Sequence, residues 1–244
     1  MNTSLQGRVA LITGANKGIG FEAARQLGKL GVRVLIGARD SARGQAAAKT
    51  LADEGLNVSV VKLDVTDEIG ISAAAAGVET NEGRLDILVN NAGIGLDPCP
   101  VSQLDTAALQ KTLQTNFYGP FWVSKAFLPL LRRSDAARIV NVSSSLGSLF
   151  HLSDPEWVGR PRQFSAYSIS KAALNAMTVL LSAELHGTSA KVNSVEPGYT
   201  ATDMTDHSGF QTTEQAARVI VKYATAGADG PNGGYFDIHG RLPW

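Results

Sequence analysis

Tyr167-Ser168-Ile169-Ser170-Lys171 sets a phenol and an ammonium four residues apart, which on a helix is one turn along the same face. Around them Ala166, Ala172, Ala173, Leu174, Ala176, Met177, Val179, Leu180, Leu181, Ala183 and Leu185 have the apolar density of a buried helix. A free tyrosine titrates near ~10, and an ammonium one turn away favours the phenolate and lowers that value. The spacing therefore predicts that Tyr167 gives a proton to a ketone oxygen or takes one from an alcohol. Ordinary surface helices also carry a tyrosine and a lysine. The pair acquires meaning only from elements that would bring a ligand to it.

Those elements start near the amino end. Val9-Ala10-Leu11-Ile12-Thr13 is a short apolar run of strand type that leads directly into Gly14-Ala15-Asn16-Lys17-Gly18-Ile19-Gly20. A helix through Ala23, Ala24, Leu27 and Leu30 ends at Gly31, and Val32-Arg33-Val34-Leu35-Ile36 is a second strand. Strand, glycine turn, helix and strand within about 30 residues make a βαβ nucleotide-binding unit. Its backbone amides and helix N-terminus favour a pyrophosphate. The spacing Gly-x-x-x-Gly-x-Gly differs from the commoner Gly-x-Gly-x-x-Gly. Beyond strand two stand Gly37-Ala38-Arg39-Asp40. An NAD site carries an acid there for the ribose 2′-hydroxyl, and an NADP site an arginine. Arg39, with Lys17 in the glycine turn, argues for NADP(H). Asp40 either bonds a ribose hydroxyl or caps the following helix with Ser41.

After a helix from about Ser41 to Glu54, Val58 to Leu63 forms strand three and ends at Asp64-Val65, a candidate adenine edge. An alanine-rich helix precedes Leu85-Asp86-Ile87-Leu88-Val89, strand four, which runs into Asn90-Asn91-Ala92-Gly93. Small and amide residues past a strand's carboxyl end occupy the position where open parallel sheets bind ligands. The helical stretch Leu104 to Leu131 is interrupted around Asn116-Phe117-Tyr118-Gly119-Pro120. It is either a helix broken at Gly119-Pro120 or a kink held by the Asn116 amide and a water. Arg138 to Val142 is strand five, ending in Ser143-Ser144-Ser145, which is plain loop or a hydroxyl offered to substrate. Residues 148–164 show no period and read as a surface excursion whose aromatics line a pocket or fill a satellite core. Ala190 to Val195 is strand six, followed by Glu196-Pro197-Gly198-Tyr199-Thr200-Ala201-Thr202-Asp203-Met204. A helix from about Thr213 to Thr225 and a strand from Gly233 to Ile238 complete the chain. Without repeat or linker, residues 1–244 read as a single domain with a pocket-side insertion around 148–164.

Composition narrows the partners. The 244 residues carry 22 basic and 22 acidic side chains, a balance that argues against nucleic acid or an anionic membrane surface. No apolar run reaches the roughly 18 residues of a membrane span, and the N-terminus lacks the basic-then-apolar pattern of a secretory signal. With one cysteine, Cys99, a reducing, cytoplasmic setting is expected. Cys99 lacks a histidine partner that would make it a nucleophile. The four histidines are scattered, so no metal site is expected; His151 reads as a pocket wall or an exposed residue.

In this order, Thr13 to Gly20, Asn90-Asn91-Ala92-Gly93, Asn116, Ser144, Tyr167-x-x-x-Lys171 and Pro197-Gly198-x-x-x-Thr202 resemble the short-chain dehydrogenase/reductase family over essentially the whole chain. The resemblance implies a doubly wound α/β Rossmann fold, its seven-stranded parallel sheet flanked by helices on both faces. It also implies roles. Tyr167 would be the general acid/base, with Ser144 bonding the carbonyl oxygen. Lys171 would hold the nicotinamide ribose and lower the tyrosine pKa, and Asn116 would anchor a water that leads protons to Lys171. Asp64 and Val65 would contact adenine, Asn91 the adenine-side ribose, and Thr202 the carboxamide. The full cofactor set is then Gly14, Asn16, Lys17, Gly18, Ile19, Gly20, Arg39, Asp64, Val65, Asn91, Ala92, Gly93, Tyr167, Lys171, Pro197, Gly198, Thr200 and Thr202.

Within that family the chain looks most like the NADPH-dependent carbonyl reductases, on Asn16-Lys17, Ala38-Arg39-Asp40, the terminal Trp244 and the long stretch between Ser144 and Tyr167. The expected activity is reduction of ketones and aldehydes to alcohols. Reduction of 3-oxoacyl thioesters, with Arg160 and Arg162 as a basic patch, is an alternative, as is a non-catalytic NADP(H)-binding sensor or scaffold. Monomer and homo-oligomer both stay open. The short segment Asp203 to Thr212 leads us to expect an open pocket, with Phe150, Trp157, Tyr199, Met204 and Phe210 as its walls.

Overall fold

The computed structural model describes residues 5–96, 98–159 and 164–244. Six runs rich in β-branched or aliphatic residues and one aromatic run form strands: β1 Val9–Thr13, β2 Arg33–Ala38, β3 Val58–Lys62, β4 Ile87–Asn90, β5 Arg138–Val142, β6 Lys191–Val195 and, the aromatic one, β7 Gly234–Phe236. All neighbouring pairs are parallel, in the order β3-β2-β1-β4-β5-β6-β7. Every residue of β1, β4 and β5 is buried, as expected of strands covered on both faces. The strand order reverses between β1 and β4, and this opens the ligand crevice of such a sheet at their carboxyl ends.

Two apolar cores cement helices to the two faces. On one, α1 (Gly18–Lys29), α2 (Ser41–Asp53) and α8 (Thr213–Ala224) bury Ala23, Leu27, Leu51, Ala217 and Ile220 against Ile12, Ile36, Val89 and Val195. On the other, α3 (Glu68–Glu82) and α5 (Gly119–Leu131) bury Ile71, Val78, Val123 and Phe127 against Leu11, Leu35, Leu88 and Ile139. The remaining helices are α4 (Thr106–Leu113), α6 (Leu149–Ser153) and α7 (Ser165–Glu184).

Three expectations change. Strand two extends through Gly37 and Ala38, because Thr13 pairs with Gly37 and Ala38 with Lys62; Arg39 therefore begins the loop directly. The stretch around Asn116 is not broken at Gly119-Pro120. A π turn spans Gln114–Tyr118 between α4 and α5, and Pro120 follows it in the first turn of α5. The excursion after β5 is also more ordered than its lack of period implied. Ser148 caps α6 by accepting from the His151 amide at 3.2 Å and donates to the Pro243 carbonyl at 2.9 Å. The Phe150 amide bonds the Trp244 carbonyl at 2.8 Å. The insertion is thus tied to the C-terminus.

Candidate active site

The first turn of α7 carries Tyr167, and the loop after β4 locates that turn. Ser165 Oγ donates to the Cys99 carbonyl at 2.7 Å, and Cys99 pairs with Phe164. Below the site a buried polar ladder sets the helix against the sheet. Asn90 Nδ2 donates to Asn141 Oδ1 at 2.8 Å, Asn141 Nδ2 to Thr178 Oγ1 at 2.8 Å, and Thr178 shares a 2.8 Å bond with Ser194. The sequence reading missed this ladder, although amides and hydroxyls inside apolar strands were its visible sign. Gly147 completes the approach: a Cβ there would lie 2.6 Å from Lys171 Cβ, so any other residue would push α7 away.

Asn116, fully buried in the π turn, clamps this arrangement. Its Oδ1 accepts from the Ile94 amide at 2.9 Å, and its Nδ2 donates to the Ile94 carbonyl at 2.9 Å and to Ser170 Oγ at 3.0 Å. One amide thus joins the loop after β4 to the helix of Tyr167 and Lys171. A Cβ on Gly93 would be 3.4 Å from Asn116 Oδ1 and 3.7 Å from Lys171 Nζ. The structure brings these three residues together.

Electrostatics depart from the expectation. Burial pushes the Tyr167 phenol up to about 12; a hydrogen bond from Ser144 works against that rise and the Glu196 charge adds to it. Lys171 does not lower it. Its Nζ lies 5.4 Å from the tyrosine ring centroid and donates to the Val142 carbonyl at 2.7 Å, and burial brings its own pKa down to about 8. Desolvation disfavours the charged form of each group, and here it exceeds their mutual effect. Tyr167 is consequently an acid holding its proton. Ser144 is the serine beside it, and its Oγ also accepts from the Leu146 amide at 3.3 Å. Ser143 Oγ is buried without a partner.

At the β1 side the glycine turn opens α1. Side chains of Asp40, Asp67, Asp105, Ser148 and Thr212 cap α2, α3, α4, α6 and α8, whereas α1, like α5 and α7, has no side-chain cap. Uncapped amides at a helix N-terminus attract a phosphate. Gly14 and Gly18 take φ of 65° and 62°, a conformation in which glycine is at ease. Asn91 stands behind this turn: its Nδ2 donates to the Thr13 carbonyl at 2.9 Å and the Gly14 carbonyl at 3.3 Å. A Cβ on Gly20 would reach within 2.4 Å of that nitrogen. The uncapped amides and the glycine cradle fit a dinucleotide pyrophosphate.

The other expected cofactor residues occupy distinct positions. Asp64 Oδ1 accepts from the Thr66 amide at 2.9 Å and its hydroxyl at 2.7 Å, while Val65 is buried against Gly119. Asp40 caps α2 by accepting from the Arg43 amide at 3.1 Å, a bond that holds its carboxyl below the ordinary value. Of its two readings, capping is the one found. Arg39 is exposed. Lys17 does not stand free for a phosphate: its Nζ is 2.5 Å from Asp203 Oδ2, and His207 Nε2 is 3.2 Å from Oδ1 of the same carboxylate. A groove of ≈ 440 Å³ runs here between Asn16, Lys17, Phe21, Arg43, Ala46, Ala47, Thr50 and Asp203. Arg43, overlooked in the sequence, joins Lys17 as its second cation.

Across the crevice, Thr200 Oγ1 donates to the Gly198 carbonyl at 2.9 Å, and Thr202 methyl is the closest approach to Gly18, at 3.9 Å from a Cβ there. The segment after Thr202 folds on itself through Thr205, whose hydroxyl donates to the Thr200 carbonyl at 2.7 Å. Of the expected walls, Met204 borders Tyr167: a Cβ on Gly95 would meet Met204 Cγ at 3.5 Å and Tyr167 Cδ2 at 3.9 Å. Tyr199 and Phe210 meet edge to face at 5.9 Å, and Trp157 stacks on His151 at 5.3 Å. Phe150 is largely exposed. Arg160 and Arg162 lie outside the described residues. Among those described, no cluster of acidic, His or Cys side chains could hold a metal, and no helix is long and apolar enough to cross a membrane.

Known proteins are similar to this chain in sequence and fold. The family model of the short chain dehydrogenases matches residues 8–212. The chain is 33% identical to (-)-isopiperitenone reductase of Mentha piperita, covering 94% of this chain and 96% of the relative. It is 37% identical to (+)-neomenthol dehydrogenase of Arabidopsis thaliana, over 89% and 91% of the two. Among solved structures, NADPH-bound carbonyl reductase from chicken fatty liver superposes with a TM-score of 0.87 at 28% identity, covering 98% of this chain and all of that one. With a family model matched over residues 8–212 and relatives above 30% identity along most of its length, the chain belongs to the short-chain dehydrogenases, oxidoreductases that act on CH–OH and C=O groups.

Proposed function

We propose that the protein is an NADPH-dependent carbonyl reductase that converts small and medium ketones or aldehydes to alcohols. The observation that carries this reading is Tyr167, a half-buried phenol with its pKa pushed up to about 12, in hydrogen-bonding reach of Ser144 and one turn from Lys171. A bound reduced nicotinamide supplies the hydride. Tyr167 delivers its proton to the carbonyl oxygen, for which its protonated state at neutral pH is the required one. Ser144 donates to the same oxygen as charge develops, a task for which a positioned donor contributes ~3 kcal/mol.

Lys171 holds the nicotinamide ribose, and Asn116 anchors the water through which Tyr167 regains a proton. The amides of Asn16, Gly18, Ile19 and Gly20 receive the pyrophosphate, with Asp64 and Val65 beside the adenine. Asn91, Ala92 and Gly93 border the adjoining riboses, and Pro197, Gly198, Thr200 and Thr202 the carboxamide. Arg39 and Arg43, joined by Lys17 when it leaves Asp203, are the cations for a 2′-phosphate, which supports NADPH over NADH. The relatives named above as reductases and dehydrogenases support the reaction type.

Initial rates with NADPH and NADH against aromatic ketones, aliphatic ketones, aldehydes and an acyl thioester test this reading. Turnover of simple ketones with NADPH preferred is the expected result. Turnover of the thioester alone would replace the substrate class, and cofactor binding without turnover would favour a sensor.

A further inference from the structure

Glu196 follows the last residue of β6 and continues its ladder: its amide donates to the Phe236 carbonyl at 2.8 Å, and the Ser143 amide donates to the Val195 carbonyl at 2.7 Å. It therefore lies beside Ser143-Ser144 on the catalytic edge of the sheet. Strand alternation decides which way it faces. Val195 belongs to the core of α1, α2 and α8, while Ser194 meets Thr178 of α7. Two residues beyond Ser194, Glu196 faces the side of α7 and Tyr167.

Its surroundings are unusual for a half-buried carboxylate. Oε2 accepts from the hydroxyl of Tyr235 at 3.4 Å, a long bond from a neutral donor. Tyr235 is fully buried and stacks on Trp244, so the donor is held in place. Among the described residues, the ion pairs of the molecule include none to Glu196. The buried Asp86, by contrast, bonds Arg84, Ser134 and the Val9 amide. The charge is felt at the site, since it opposes ionisation of Tyr167 and of Tyr235 alike. A partly desolvated anion without a cation gains from one that arrives.

We infer that Glu196 is a specificity-determining residue that takes the cationic substituent of a carbonyl substrate, so that amine-bearing ketones are favoured and keto acids rejected. The inference rests on the carbonyl-reductase reading. At about 6 Å and an effective dielectric near 20, a unit charge on the substrate is worth roughly a tenfold to hundredfold change in selectivity.

The test uses three aryl ketones of matched size that carry a trimethylammonium group, a tert-butyl group or a carboxylate away from the carbonyl. For the wild type, kcat/KM should fall in that order. In Glu196→Gln the ratio of cationic to anionic substrate should drop about tenfold or more. A wild-type ratio near one, or a ratio unmoved by Glu196→Gln, overturns the inference. Should Glu196→Gln fail to fold, the wild-type ratio is followed with ionic strength: a decline with salt supports the inference, and a flat response overturns it. Failure to turn over even the tert-butyl ketone counts against the reaction assignment instead. The three ketones' dissociation constants for the protein–NADPH complex then decide the charge ranking separately.

Discussion

The two banks of the crevice treat their polar groups in opposite ways. Along β1 to β3, Lys17 and Asp40 are exposed and Asp64 half-buried, and each has a partner within the protein: Lys17 with Asp203, Asp40 with the N-terminus of α2, Asp64 with Thr66. At the crevice ends of β5 to β7 the polar groups are buried or half-buried and short of partners. Tyr167 is held protonated, Lys171 is an ammonium with a single carbonyl acceptor among its direct bonds, and Glu196 has one phenol. The first bank can exchange its partners for a cofactor at little electrostatic cost, because water screens what is rearranged. The second keeps charge in a medium of low polarity, where each group acts strongly on whatever enters. On the proposed function, binding falls to the compliant bank and chemistry to the desolvated one.

The contrast is open to attack, first at its strongest point. Tyr167→Phe removes one hydroxyl from the desolvated bank and should lower kcat by roughly 10²- to 10⁴-fold, with the NADPH dissociation constant within a few-fold of wild type. Near-normal single-turnover rates would sink the acid assignment.

Lys171→Met should cut turnover severely while making the protein more stable at pH 7. The drop from 10.5 to about 8 corresponds to about 3 kcal/mol held against folding. The folded pKa lies below the unfolded one, so between pH 8 and ~10.4 the unfolded chain binds more protons and wild-type stability rises. The variant's advantage, measured by urea unfolding, should therefore shrink across that window. An advantage constant from pH 7 to pH 10 would mean that the ammonium is not what opposes folding.

Asn116→Ala leaves the Ile94 amide and carbonyl and Ser170 Oγ without their shared partner. About 2 kcal/mol of stability should be lost, or roughly 5 °C in Tm for a chain of this size. An unchanged Tm would show that the clamp is dispensable. Smallest of all, Asp203→Asn on the compliant bank should leave Tm within about 1 °C and raise NADPH affinity a few-fold by releasing Lys17. Weaker NADPH binding would show instead that the carboxylate orients Lys17 for its ligand.

Much of this was legible before any coordinate. Val9–Thr13 followed by three spaced glycines, and the apolar density around Tyr167, are periodic or local signals that the backbone converts into strand, turn and helix over a few residues. At Asp40 the sequence offered both a ribose contact and a helix cap, and the bond from the Arg43 amide in the folded chain selects the cap. The kink at Asn116 was visible as an amide in a helical run. Its form as a π turn was not, because its partners Ile94 and Ser170 stand 22 and 54 residues away. The insertion after Ser144 lacked a period for the same reason: Pro243 and Trp244, nearly a hundred residues on, anchor it.

The sequence by itself determined the order of elements, the glycine turn and the pairing of Tyr167 with Lys171 on one helical face, since these depend on neighbours within a turn or a strand. Only the tertiary structure decided how those groups ionise and what Glu196 confronts. One turn of helix brings an ammonium near a phenol, and by local logic the phenol should become more acidic. Packing of α7 against β5 and β6 removes the water from both, and desolvation, contributed by strands far along the chain, turns Tyr167 the other way.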